Sequence, residues 1–201
     1  MAGRGQPLCA DCRRILQRAG RDLITASGVR VWAPMGYAGP ARELVRALKF
    51  RGATALATWM AAQMVANAPD GLLGVPVSRP AGALVGEPVL VPVPLHRRRL
   101  RKRGFNQAAL IATALAQRTG LEVRDCLRRT GALTTQVGRA REERRSGPAG
   151  AIEVAVEVPE RVLLVDDVVT TGATLAACSA ALAEAGVQRI EGIAFARTMG
   201  R

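Results

Sequence analysis

The sequence predicts an α/β fold in which a mainly parallel sheet is flanked by helices, and three observations carry that prediction. Leu163 to Val165 form an apolar run of buried-strand type, and Gly172-Ala173-Thr174-Leu175 opens an Ala-rich helix, which together make one strand, turn and helix unit. The apolar, β-branched stretch Pro88 to Leu95, followed after a basic run by a helix through about Arg118, makes a second unit. Arg189 to Ala196 supplies a last strand. At 201 residues, 49% of them hydrophobic, the chain suits one medium domain with a small appendage. The expected division is an N-terminal segment, 1–35, and an α/β domain, 36–201.

Taken in chain order, the Arg-rich N-terminal stretch contains Cys9-Ala10-Asp11-Cys12, a pair spaced to supply half of a tetrahedral zinc site. His96, Cys126 and Cys178 fall in segments committed to other structure, so further ligands would have to come from another subunit or from residues ahead of the first. A helix is expected from Tyr37, with Pro40 in its first turn, Leu44, Val45 and Leu48 at helical spacing, and Arg51-Gly52 as its stop. A second helix is expected from about Thr54 to Val65. Asn67 to Glu87, rich in proline and glycine, reads as an exposed connection. The prolines of Pro88 to Leu95 end that strand near Val93, and the basic run from His96 to Gln107 reads as a loop. Leu121 to Leu127 is the next expected strand, and Thr130 to Gly150 a long polar loop. Ile152, Val154, Val156 and Val158 alternate with Glu153, Ala155 and Glu157, the pattern of a half-buried strand or hairpin arm.

The formal charge of +13 invites a nucleic-acid partner. Among the 29 basic residues only Lys49 and Lys102 are lysines, so the basicity also reflects an Arg-biased composition, and the clustering of the arginines says more than the total. Four cysteines, unevenly spaced, do not make a secreted disulfide scaffold, and the N-terminus shows no signal-type apolar core. No apolar run approaches the ~20 residues that span a bilayer. A reducing cytoplasm is the expected compartment.

The functional centre is expected between Val162 and Thr174, at the carboxyl edge of the sheet, where open α/β folds bind ligands. Backbone N–H groups of Val169 to Thr174, with the hydroxyls of Thr170, Thr171 and Thr174, would converge at a helix N-terminus, which favours a phosphate. Asp166 and Asp167 would repel that phosphate, so they are expected to accept hydrogen bonds from vicinal hydroxyls or to stand near Mg²⁺. Phosphate, diol and metal together describe a phosphorylated ribose. The expected ligand set is Asp166, Asp167, Val168, Val169, Thr170, Thr171, Gly172, Ala173 and Thr174; no residue is assigned to catalysis. This segment closely resembles the 5-phosphoribosyl-1-diphosphate (PRPP) signature of type I phosphoribosyltransferases. That resemblance implies that the acidic pair contacts the ribose 2′ and 3′ hydroxyls and that the loop wraps the 5′-phosphate.

Six basic residues lie between Arg97 and Arg103, just after a strand. His96, Arg97, Arg98 and Arg103 are expected to touch either a diphosphate or a nucleic-acid backbone, and the residues do not choose between the two. His96 is the only histidine, but nothing near it in sequence orients its ring as a general base would require. The long loop carries Gln136, Arg139 and Arg144, placed either to close as a lid over phosphates or merely to connect.

The order of CxxC, Leu48-Lys49-Phe50, Val91-Pro92-Val93-Pro94-Leu95, Arg103-Gly104-Phe105-Asn106-Gln107, Thr135-Gln136, Arg144, Gly150-Ala151 and the PRPP signature resembles the ComF competence-protein family, whose best-known branch is ComFC. The resemblance covers nearly the whole chain. It implies a type I phosphoribosyltransferase-like fold, Mg²⁺-dependent PRPP binding, and a role in uptake and processing of single-stranded DNA beside the competence machinery. Two departures accompany it. Members commonly begin with two CxxC pairs that ligate zinc, whereas Cys9 and Cys12 match only the second, a remnant of a zinc-ribbon-like segment. The lid pattern Arg-x-x-Asn-x-x-Gly-Ala-Phe is met here by Arg144, Gly147, Gly150, Ala151 and Ile152. Salvage transfer of phosphoribose to a nucleobase and PRPP sensing without turnover are the alternatives. Aromatics are only 3% of the chain, and the sequence shows none clearly placed to stack a base, which leaves mainly Arg–phosphate contacts.

Overall fold

The computed structural model describes residues 7–16, 18–20, 24–74, 86–130 and 151–199. In chain order the elements are α1 (Ala10–Arg14), β1 (Ile24–Ala26), β2 (Val29–Trp32), β3 (Met35–Gly36), α2 (Gly39–Phe50), α3 (Leu56–Asn67), β4 (Val89–Pro92), α4 (Arg97–Arg103), α5 (Gln107–Thr119), β5 (Leu127–Thr130), β6 (Ala151–Val154), β7 (Arg161–Val169), α6 (Ala173–Glu184) and β8 (Arg189–Arg197). The main sheet runs β1-β2-β8-β7-β4, with β3 also pairing β8. All of its pairings are parallel except the β1/β2 hairpin. The result is the expected α/β architecture, a mixed but mostly parallel sheet between helical layers.

β7 is the spine of this arrangement because its apolar residues are buried on both faces. Leu163 and Val165 pack with Leu44 and Leu48 of α2, Met60 and Met64 of α3, and Ile111 and Leu115 of α5. Val162 and Leu164 point the other way, into a cluster with Leu175, Cys178 and Leu182 of α6 and Leu127 of β5. Alternate residues of a strand face opposite sides of its sheet, so one nine-residue strand serves two cores. Trp59 meets Phe195 of β8 edge to face at 6.0 Å between ring centres, fastening α3 to the sheet.

Four expectations need correction. β7 does not stop at Val165: it continues through Asp166 and Asp167 to Val169, paired with β8 as far as Arg197. The basic run after His96 is not a loop throughout, because Arg97–Arg103 form a short helix, capped by the His96 side chain at its start and by Gly104 in the left-handed region at its end. Leu121 to Leu127 is not a strand. It touches the sheet only through a parallel bridge between Val123 and Leu90, and the strand proper begins at Leu127, pairing antiparallel with Ala151–Val154 as a separate two-stranded hairpin. Finally, β1, β2 and β3 lie inside or at the border of the stretch assigned to the N-terminal segment, yet β2 and β3 extend the main sheet along β8. These strands are two to four residues long, too short for alternation to reveal them; β2 and β3 exist as strands because β8 offers an edge to pair with, and β1 because β2 does.

Candidate functional site

The turn that follows β7 is held from three directions. Ser27, at the tip of the β1/β2 hairpin, donates its hydroxyl to the Thr171 carbonyl at 2.7 Å. Thr198, just past β8, donates its backbone N–H to the Val169 carbonyl at 3.0 Å and its hydroxyl to the Thr170 carbonyl at 3.3 Å. Gly172 takes φ +81°, and a Cβ there would lie 2.7 Å from the Ala26 carbonyl oxygen, so backbone of β1 occupies the space a side chain would need. The first N–H groups of α6 have no carbonyl of their own helix to donate to. The Thr171 hydroxyl accepts from the Ala173 N–H at 3.4 Å, the weakest of these bonds.

Asp166 and the run Val168 to Thr174 line one small cavity of about 40 Å³ at the N-terminus of α6. Of the nine residues expected to hold a ligand, only Asp167 is missing from it. The continuation of β7 explains this, since adjacent strand residues point to opposite faces and the two acids cannot share one. Asp167 is buried, its side chain 2% exposed, and pairs with Lys49 Nζ at 2.6 Å. Gln107 Nε2 donates to Asp167 Oδ1 at 3.3 Å, and Gln107 Oε1 in turn accepts from Arg103 Nη1. The chain Lys49, Asp167, Gln107, Arg103 thus ties the ends of α2 and α4 and the start of α5 to β7. Burial pushes the Arg103 guanidinium below its ordinary value, an effect that the Asp167 charge opposes.

Asp166 behaves differently. It is partly exposed at the cavity, and Asp167 donates its own N–H to Asp166 Oδ1 at 2.8 Å. Burial of the carboxyl and then the Asp167 charge raise its pKa well above the ordinary 3.8. Among the described residues no lysine or arginine approaches it within ion-pair distance, whereas Lys49 is committed to Asp167. Asp166 is therefore an oxygen donor that would gain from a hard cation or from hydroxyl donors. Arg129 of β5 is close enough to feel it, although the largest influence on that guanidinium is burial, which lowers its pKa. Cys178 of α6 has its thiol pushed up to about 12 by burial and then by the Asp166 charge.

A stability prediction follows from the sign of the Asp166 shift. With the pKa raised on folding, ionising Asp166 costs native stability above the folded value, and that cost fades as pH falls toward 3.8. Asp166→Asn is expected to melt higher than wild type at pH 8, with the gap closing by about pH 4. A variant that melts lower than wild type at pH 8 would show that the carboxylate is not penalised by its site.

The remaining expected residues fall elsewhere. His96 caps α4, its Nδ1 accepting from the Arg98 N–H at 3.2 Å. Arg97 and Arg98 are exposed on α4, and Arg97 lines a groove of about 380 Å³ that also includes Leu95, Asn106 and Arg129. Gln136, Arg139 and Arg144 lie outside the described residues. Cys9 caps α1, its Sγ accepting from the Cys12 N–H at 3.5 Å, and hydrogen bonds from Cys12 lower its pKa while Cys9 raises that of Cys12. Among the described residues no group of three or more His, Cys, Asp or Glu is placed to hold a metal ion. Nor, among the same residues, is any helix long and apolar enough to cross a membrane.

Sequence reasoning missed the roles of Lys49 and Gln107. The signal for Lys49 was its rarity, one of two lysines in an Arg-dominated chain. Gln107 stood in the Arg-Gly-Phe-Asn-Gln run, but its partner Asp167 lies 60 residues away.

Comparison with known proteins adds relatives to this geometry. The chain is 36% identical over 113 residues to Competence protein F of Haemophilus influenzae, covering 54% of this chain and 49% of that one. It is 30% identical over 165 residues to DNA utilization protein YhgH of Escherichia coli strain K12, covering 81% of this chain and 70% of the relative. Competence protein ComFC of Streptococcus pneumoniae is 30% identical over 107 residues, or 53% of this chain and 47% of its own length. The alignments therefore span about half of the Haemophilus and Streptococcus relatives. No family model matches the chain.

Proposed function

Because the chain belongs to the ComF/ComFC family, we propose that it binds Mg²⁺–PRPP at the carboxyl end of β7, as a phosphoribosyltransferase-like protein acting in the uptake or handling of single-stranded DNA. The observation that carries this reading is the shared cavity: Asp166 and Val168 to Thr174 surround one point at the N-terminus of α6. The N–H groups of the turn and the threonine hydroxyls suit a 5′-phosphate. Asp166 is the residue that would accept from a ribose hydroxyl and hold Mg²⁺, directly or through water. The ion supplies positive charge against a diphosphate. Asp167, locked to Lys49, sets the direction of the strand end rather than facing the ligand. The DNA role is supported by the names of the relatives, and the six basic residues of α4 offer the phosphate contacts it would require.

The test is calorimetry with Mg²⁺–PRPP. Wild type is expected to bind and Asp166→Asn to lose at least tenfold in affinity, with a smaller loss for Asp167→Asn because its carboxylate faces away. No heat of binding from correctly folded wild type would overturn the proposal. Diphosphate release measured across the nucleobases then separates a transferase from a protein that only senses PRPP.

A further inference from the structure

Phe50, the last residue of α2, has 74% of its surface exposed, an unusual setting for a large apolar ring in a chain so poor in aromatics. Its surroundings are equally one-sided. It opens onto a cleft of about 530 Å³ between the end of α2 and α4, lined also by Lys49, Arg99, Lys102, Arg103 and Phe105, with no acidic residue in the lining. Arg103 sits over the ring at 5.5 Å from its centre. That cation–π contact fixes the ring's orientation. Arg103 is itself steadied by Gln107 and, through it, Asp167, so the aromatic platform is built on the same network that holds β7. Lys49 is spent on Asp167, whereas Arg99 and Lys102 are exposed and make no ion pair among the described residues.

A flat apolar face framed by uncommitted cations matches one ligand chemistry, a planar ring that carries a phosphate. We propose that this cleft is a nucleotide-binding site, in which a base stacks on Phe50 while Arg99 and Lys102 hold its phosphates. Stacking on an aromatic face is tolerant of base identity, and each stacked base contributes about 1–3 kcal/mol. A free nucleotide and one unit of a single strand present the same ring and phosphate, and the test below tells them apart. The cleft shares no lining residue with the PRPP cavity, so either site can fail without the other, while its use of Arg99 and Lys102 rests on the DNA role proposed for α4.

The experiment is titration of the full chain with a labelled oligothymidylate, with dTMP as competitor. Phe50→Ala is expected to weaken oligonucleotide binding at least fivefold, which is the lower end of one stacked base, and to leave the dependence on salt unchanged. Arg99→Ala/Lys102→Ala should reduce the slope of log K against log salt by about 1.4, the value for two phosphate contacts on a single strand. Phe50→Trp should bind at least as well as wild type and show quenched fluorescence when the base stacks. Displacement by dTMP identifies a free nucleotide as sufficient, whereas loss on Phe50→Ala without dTMP competition assigns the site to the polymer. Binding by Phe50→Ala within twofold of wild type, with no quench in Phe50→Trp, would overturn the proposal. Because Phe50 is exposed, its variants should keep the wild-type melting temperature and Mg²⁺–PRPP affinity.

Discussion

Lys49→Met is expected to destabilise the protein by about 3–5 kcal/mol, the usual cost of breaking a buried ion pair by removing one partner. For a chain of this size that corresponds to a fall of roughly 6–12 °C in melting temperature at the lower end of the range. The reason is the asymmetry of the pair. Asp167 is 2% exposed and Lys49 19%, so the ammonium can turn to water when its partner is lost, while the carboxylate cannot. Gln107 would still donate to Oδ1, but a single neutral amide does not balance a buried charge. Asp167→Asn should therefore cost less than Lys49→Met, and Lys49→Met/Asp167→Asn should be more stable than Lys49→Met alone. Urea or thermal unfolding of the four proteins measures this coupling directly. A Lys49→Met protein within about 0.5 kcal/mol of wild type would mean that Asp167 does not depend on that lysine.

The same pair marks the boundary of what is readable from the sequence. The strand-turn-helix unit is legible because its parts are contiguous: a strand, a Thr/Gly turn and a helix start follow one another, and Asp166 and Val168 to Thr174 border one cavity. An expected strand end at Val165 falls short for a physical reason. Two successive acids look too costly to bury, and the lysine that makes one of them tolerable lies in α2, joined to it only by tertiary packing. Once β7 is seen to run on to Val169, the two acids separate onto opposite faces and acquire different work. α4 is hidden by its charge: with Leu100 as its one apolar residue it has no periodicity, and its caps are a histidine and a left-handed glycine. The aromatic platform is invisible for a related reason, since nothing local says that Phe50 and Arg103 meet. The hairpin of β1 and β2 cannot be read because its role is relational. Its turn, with Ser27 at φ 50° and Gly28 at φ 85°, is placed so that Ser27 and Ala26 bear on the turn after β7.

That bearing makes Gly172→Ala the second large perturbation, expected to cost about 3 kcal/mol and to abolish the Mg²⁺–PRPP binding proposed for the adjoining cavity. Two effects combine. An alanine at φ +81° meets the left-handed penalty of roughly 1–2 kcal/mol. In addition its Cβ would lie 2.6 Å from the Ala26 Cβ, 2.7 Å from the Ala26 carbonyl oxygen and 2.8 Å from the carbonyl carbon. Two of these are backbone atoms of a paired strand, which cannot turn aside as a flexible side chain would, so either the hairpin tip or the turn must move, at a typical overpacking cost of about 1–3 kcal/mol. Movement of either would pull Ser27 from the Thr171 carbonyl and displace the start of α6, which borders the cavity. Gly120→Ala separates the two effects. Gly120 has φ +79°, and a Cβ added there would meet nothing within 4 Å, so this variant should lose only about 1–2 kcal/mol and keep its ligand affinity. Equal destabilisation of the two variants would show that the hairpin yields freely and does not brace the loop. A larger loss for Gly172→Ala is the result the packing of Ala26 against the turn requires, and loss of Mg²⁺–PRPP binding in that variant alone is the result the proposed site requires.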